Sequence, residues 1–383
     1  MANDTVVPVS LDDYFQTTPV GSIDRAIGNN LFGINHRQLP GLVPSNKDTY
    51  GLTFFVRPQL NMQADNIRNS RLFYPLLTEN PKTIHRFIRC TLDPRIMTGY
   101  TFHDHKIPAL KCPVVDNSQA FIPILTNTLN SLSGWQDIVA PTFTSKPGLY
   151  NEAYSQVDGI VRNFESFDID ATFRNTKGDP ILYMFYIWLL YASQVFEGKL
   201  IPYVDFITEN EIDYMTRIYR LVLDKEKQYV TKIAATGVAF PVSVPTGSFF
   251  DFSTEKPYND QNKDITIRFR CLGVDYQDDI LIKEFNKTVS IFNPDMRDGV
   301  RDATMKKVDR SALLLFNNRG YPRINPKDNE LEWWVDTALA QRRIDDFTAT
   351  ESTGSVYDTE MDYTGTTQNS TQEDSDTESA SFD

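Results

Sequence analysis

The 383-residue chain predicts an α+β, β-rich fold, an antiparallel β-barrel or sandwich with one packed apolar helix. A loop-rich N-terminal part precedes that core, and a disordered acidic tail ends the chain. Three observations lead to this reading. Segments near 166–171, 237–245 and 264–271 alternate side chains with period two, the mark of half-buried antiparallel strands. The stretch GDPILYMFYIWLLYASQVFEGKL (178–200) carries helix-boundary signals and no charge from Ile181 to Ala192. A run of strand signals then follows that helix.

Residues 1–48 are rich in Gly, Pro and Asn and read as an irregular arm. Residues 49–157 form a loop-rich part or a decoration of the core. It starts with the strand YGLTFFVRPQLNM, which Pro58 ends or confines to an edge. RLFYPLLTENPKTIHRFIRCTLDPRI then alternates short helical pieces with proline breaks. Within FIPILTNTLNSLSGW a helix-like piece runs up to Gly134.

The core spans 158–290. Its first strand sets Phe167, Ile169 and Ala171 on one face, against Ser166, Asp168 and Asp170. The apolar helix covers 180–197, with Asp179 at the N-cap, Pro180 at the first helical position and Gly198 after the last turn. About 17 residues is near the lower limit for crossing a bilayer, and no Lys/Arg cluster flanks the stretch, so a buried helix is expected and no membrane insertion. MTRIYRLVLDKEKQYVTKIAAT reads as two strands joined through Asp224–Lys227. In GVAFPVSVP, Val238, Phe240, Val242 and Val244 share a face opposite Ala239, Pro241, Ser243 and Pro245. The two prolines disfavour a central strand there or require a bend. DITIRFRCLG turns Ile265, Ile267, Phe269 and Cys271 inward, with Thr266, Arg268 and Arg270 outward.

Residues 291–346 close the folded part. DNELEWWVDTALAQRR (328–343) predicts a helix, because acids open it and Arg342 and Arg343 end it, as the helix dipole favours. On a helix Trp333 and Trp334 point about 100° apart, so either one faces a neighbouring subunit or a wide core takes both. Residues 347–383 are rich in Thr, Ser, Asp and Glu, with Gly, a composition expected to stay disordered.

The net charge of −13 is concentrated at that end. Residues 351–383 hold nine acids and no Lys or Arg, leaving −4 for the first 350 residues. A mildly acidic body argues against a surface that clamps nucleic acid. Three scattered cysteines suit a reducing compartment. MANDTVVPVSLDDYF lacks the basic and apolar regions of a signal peptide, so synthesis and assembly in cytoplasm are expected.

Chemistry-bearing motifs are sparse. FHDHKIPALKC offers His103, Asp104, His105 and Cys112, with Cys90 upstream, as metal-ligand types, but no second close pair stands at zinc-site spacing. The sequence has no G-x-S-x-G, no Walker loop and no G-x-G-x-x-G. DYQDDI reads as a turn whose acids start a helix. No cofactor and no enzymatic activity are expected.

The helix 180–197, the strand pair 214–234, GVAFPVSVP and then DITIRFRCLGVDYQDD resemble, in that order, the tail-tube family of contractile-tailed bacteriophages. The residues that carry the resemblance are Gly237, Phe240, Pro241 and Val244, then Ile265 to Arg270, and Tyr276. It covers about 158–280; the remaining length fits a decorated virion protein of a large-genome phage, or a tube-initiating or tube-capping ring, better than a minimal tube subunit. The family implies a structural virion protein of the tail tube, baseplate or neck, assembled in the host cytoplasm. It also implies a hexameric ring with a continuous inner β-barrel, other tail or baseplate proteins as partners, and a lumen that DNA traverses without specific binding. Tyr186, Trp188, Leu189, Phe240, Pro241, Trp333 and Trp334 are the expected core or subunit-interface residues. The competing readings are a carbohydrate- or receptor-binding module built around Trp135, and a metal-dependent enzyme using His103, His105 and Cys112.

Overall fold

A computed structural model describes residues 50–342 apart from 103–104, 160–164, 252–253, 256–262, 310–315 and 317–318. The expected arm at 1–48 and acidic tail at 347–383 lie outside the described residues. Strand β1 (Tyr50–Phe55) leads to helices α1 (Ala64–Ile67) and α2 (Ile84–Leu92), then to the ribbon β2 (Tyr100–Phe102) and β3 (His105–Ile107). Helix α3 (Pro123–Thr128), strand β4 (Leu129–Ser133) and a second ribbon, β5 (Thr142–Thr144) and β6 (Ser155–Val157), follow. Strand β7 (Ser166–Arg174) runs into helices α4 (Pro180–Phe196) and α5 (Val204–Glu209). Strands β8 (Ile218–Leu223), β9 (Val230–Ser243) and β10 (Asp264–Tyr276) precede helices α6 (Asp279–Phe292) and α7 (Arg301–Thr304). Strands β11 (Met305–Val308), β12 (Tyr321–Ile324) and β13 (Leu331–Asp336) come last.

Six strands form one antiparallel sheet in the order β1-β8-β9-β10-β7-β4, curled into a half-barrel. A smaller antiparallel sheet has the order β11-β13-β12. The described residues up to Thr337 group as one compact unit, and those from Ala338 belong to another.

Alternation along β10 is as expected: Ile265, Ile267, Phe269 and Cys271 are buried, while Thr266, Arg268 and Arg270 are exposed. Its partner β7 buries Ile169, Ala171 and Phe173 on the same face. Helix α4 closes over these residues with Ile181, Met184, Phe185, Ile187, Trp188 and Tyr191, and Leu60, Met62, Ile88 and Leu92 extend that core. A second core gathers Tyr219, Leu221 and Ile233 under α6, through Leu281, Ile282, Phe285 and Val289. Burying a large apolar side chain is worth ~1.5–3 kcal/mol, so these two clusters dominate the stability of the fold.

Helix α4 matches its expected span, with one local difference. Asp179 sits at the N-cap in the left-handed region (φ 51) and makes no side-chain cap bond. Its Oδ1 instead accepts from Asn175 Nδ2 at 2.6 Å, and Pro180 fixes the first helical φ. Gly198 (φ +70) donates to Val195 O at 3.0 Å and closes the helix. In α6, Asp278 caps the helix by accepting from Ile280 N, as the acids of DYQDDI led one to expect.

Three expectations are corrected. The piece ending at Gly134 is helical only to Thr128, and LNSLS forms the sheet-edge strand β4. GVAFPVSVP is the second half of the single long strand β9, and its burial phase is reversed. Ala239 and Pro241 are buried, Phe240 is half-buried and Val242 is exposed, because β9 turns Ala239 into the core that Phe185 and Trp188 of α4 fill. Pro241 stands opposite Phe269 at a register shift in the β9–β10 ladder, beyond the end of β8, so the bend is present and its missing N–H is tolerated. Finally, the helix expected at 328–343 is strand β13 over Leu331–Asp336, with helix only at 337–342. Leu331 and Val335 are buried, and the cross-strand partners Met305–Val308 and Tyr321–Ile324 override the helix-like charge order.

Candidate functional site

The polar face of β7 and β10 is built by register. Asp264 faces Arg174, Thr266 faces Thr172, Arg268 faces Asp170 and Arg270 faces Asp168. Arg268 Nε lies 2.9 Å from Asp170 Oδ1, Arg270 Nε lies 2.7 Å from Asp168 Oδ1, and the Thr172 and Thr266 hydroxyls are 3.0 Å apart. Hydrogen bonding to Asp170 holds the Arg268 guanidinium above its ordinary pKa. Asn130 Nδ2 donates to Asp264 at 2.7 Å, carrying this polar row on to β4. Exposed pairs of this kind add little stability. What they do is match Arg268 and Arg270 each with an aspartate, and with Arg174 across from Asp264 the charges along the paired register of the two strands balance in number.

The sheet ends on two unlike edges. The β1 edge is partly covered: Ile122 N donates to Phe55 O at 3.0 Å and Arg57 N to Ala120 O at 2.8 Å. Arg57 is buried there, its guanidinium donating to the carbonyls of Cys90, Thr91 and Asp116. Burial lowers its pKa to about 10, which still leaves it charged at neutral pH. At the other end β4 is mostly exposed and stops at Gly134 (φ +103), where a Cβ would lie 2.2 Å from Asp168 O.

The expected core or interface residues fall in different places. Trp188 is fully buried in its own subunit, donating from Nε1 to Tyr214 O at 2.8 Å and stacking on Phe185. On the same helix, Tyr186 packs at the border of that core beside Tyr183, and Leu189 is half-buried. Phe240 meets the edge of the Tyr214 ring at 6.4 Å. Trp333 and Trp334 are both half-buried; on a strand they point to opposite faces, and both border the α6 core. Trp334 donates to Glu332 at 3.0 Å and lies 4.8 Å beneath the Arg301 guanidinium. Burial works to raise the Glu332 carboxyl, but hydrogen bonds from Trp334 and Lys307 outweigh it and hold the group below the ordinary range.

The residues of the competing readings are described only in part. His103 lies outside the described residues and His105 is on β3. Cys112 is buried beside Cys90 and Ile96. Desolvation pushes the Cys90 thiol up to about 12, so it is protonated at neutral pH and a poor ligand. Among the described residues no group of three or more His, Cys, Asp or Glu side chains gathers as a metal site. Trp135 is half-buried against Tyr276, 6.3 Å away, whose hydroxyl donates to Gln136 O. Among the described residues no helix is long and apolar enough to cross a membrane.

The sequence reading did not foresee the ion-pair ladder. Its signal was present: Asp168 and Asp170 on one strand, Arg268 and Arg270 on another, with the same two-residue spacing.

Three solved structures share a slight likeness with the chain. The anti-feeding prophage cap, the AFP tube terminating cap, is 16% identical with a TM-score of 0.25, over 41% of this chain and 82% of that one. The PVC sheath/tube terminator of an extracellular contractile injection system, in its extended state, is 15% identical with a TM-score of 0.23, over 41% and 87%. The PVC sheath-tube complex, also extended, is 17% identical with a TM-score of 0.23, over 41% and 82%. Likeness this slight carries no argument. No curated protein matches the chain. The family model described as "Putative phage tail tube protein" matches residues 10–347, most of the sequence, and the chain therefore belongs to the phage tail tube family, with a structural role.

Proposed function

We propose that copies of this chain join into a closed ring, with six as the expected number, whose curled sheets continue from subunit to subunit around a lumen that DNA traverses. The observation that carries the reading is the charge-balanced face of β7 and β10 on a sheet whose end strands, β1 and β4, have a ladder partner on one side only among the described residues. Exposed edge strands are a liability in a monomer and a joint in a ring. A wall along which DNA slides must not hold phosphates, and a face whose arginines are already paired with aspartates has no cations to spare.

In this reading β4 of one copy meets the β1 side of the next, and the half-buried Tyr186, Leu189 and Phe240 are residues a neighbour covers. The ring belongs to the tube, baseplate or neck of the virion, is assembled in the host cytoplasm, contacts other tail proteins and catalyses no reaction. Sedimentation velocity on the purified full-length chain tests it. The expected result is a discrete species several times the 43.9 kDa of one chain. A single 43.9 kDa species at every concentration would overturn it.

A further inference from the structure

A cleft of about 370 Å³ lies between α6 and β12, floored by Val289 and Met296. Its walls are basic. Lys283 and Lys287 stand one turn apart on the exposed side of α6, and Arg297 and Arg323 face them. The single acid in the lining, Asp298, is already engaged. It accepts from Arg301 at 2.8 Å and from Arg323 at 3.4 Å, and the bond from Arg301 leads in holding its carboxyl below the ordinary range. Arg323 is spent on the same acid and on Glu332 at 3.1 Å. Lys283, Lys287 and Arg297 are exposed and form no ion pair among the described residues.

A pocket that presents three uncommitted cations in a chain whose first 350 residues carry net −4 selects a flexible anion. A half-open cleft of this size takes a few carboxylate side chains, whereas duplex DNA needs a long open surface. The chain itself supplies the matching chemistry. Residues 351–383 hold nine carboxylates and no Lys or Arg.

We propose that the basic cleft of α6 and β12 receives the acidic segment 351–383 of a second copy. Each copy then carries both halves of a head-to-tail contact, the kind that repeats around a ring or along a filament. The inference rests on the reading that copies associate, and adds to it a specific electrostatic link.

Carbodiimide cross-linking of full-length protein, mixed from equal parts of ¹⁴N- and ¹⁵N-labelled material, tests it. The reagent joins a carboxylate to an amine only where the two are in contact. Mass spectrometry is expected to find mixed-isotope links from acids of 351–383 to Lys283 or Lys287. Their yield should fall as salt is raised and by about tenfold in Arg297→Glu, which reverses one charge of the cleft while leaving both reactive amines. Overturning results are no link to either lysine, same-isotope links only, or a yield indifferent to Arg297→Glu. Electron micrographs of the same samples separate the two readings. Rings without these links sink the cleft contact alone, and links without rings sink the ring alone.

Discussion

Arg268 on β10 meets Asp170 on β7 at 2.9 Å, directly across the ladder, and both project from the face opposite Phe269 and Ile169. One pair of strands therefore makes a dry wall on one side and a charge-neutral one on the other. The neutrality is testable. Replacing Asp168 and Asp170 together by Asn leaves two arginines unpaired without touching the core. The variant should fold normally and gain binding to duplex DNA that weakens with salt, read by filter retention, whereas the parent protein should show none. Equal retention by both proteins would remove the link between ladder and lumen.

Trp188 and Leu189 are neighbours in sequence with different expected costs. Trp188→Ala empties a fully buried site and strips Tyr214 O of its donor, a loss of about 3–5 kcal/mol, visible as a collapsed denaturation midpoint. Leu189 is only half-buried, so Leu189→Asp should leave the fold cooperative and abolish assembly if a neighbour covers it. Normal rings from Leu189→Asp would free that position from any interface.

Asp93 gives a pH signature. Its carboxylate is fully buried at the end of α2, where it accepts from Met62 N and from the Tyr203 hydroxyl, both at 2.8 Å. Desolvation outweighs these bonds and raises its pKa to about 6 from an ordinary 3.8. A raised carboxyl pKa favours the folded state at low pH, and that advantage is lost as pH climbs from about 4 through about 6. The stability of the parent protein relative to Asp93→Asn should therefore fall across this window, by up to ~3 kcal/mol. Urea titrations at a series of pH values measure it; a flat or rising difference would contradict the assignment.

Gly134 ends β4 at φ +103, with Asp168 O only 2.2 Å from any added Cβ. Gly134→Ala should detach the last residues of β4 from β7 at a cost of about 2 kcal/mol. Hydrogen exchange should quicken over 129–133 while α4 stays protected, and rings should be lost because the joint strand is loosened. Unchanged exchange at β4 would show that the edge tolerates the strain.

How legible the fold was depends on how much each segment's neighbours had to say. In β10 every second residue is apolar, so its inward face follows from sequence alone. Helix α4 was equally plain, since 12 uncharged residues between boundary signals have few other fates. Strand β13 was not. Its opening acids and closing arginines imitate a helix, while the alternation of Leu331, Trp333 and Val335 is short and is decided by pairing with β11 and β12. In β9 the valines suggested the wrong buried face, because it is Ala239 that joins the core under α4, a contact no local pattern shows. The polar ladder needed a register that local patterns do not encode. Trp188, expected in the core or at a subunit interface, is held by Phe185 and Tyr214 of its own chain.

The claim underlying all of this is that the half-barrel sheet is completed by other copies of the chain. Negative-stain electron microscopy of the purified full-length protein tests it most directly. The expected images show rings with a central hole, or stacks of them, at micromolar concentration. A uniform field of single particles of monomer size, unchanged as concentration rises, would contradict it.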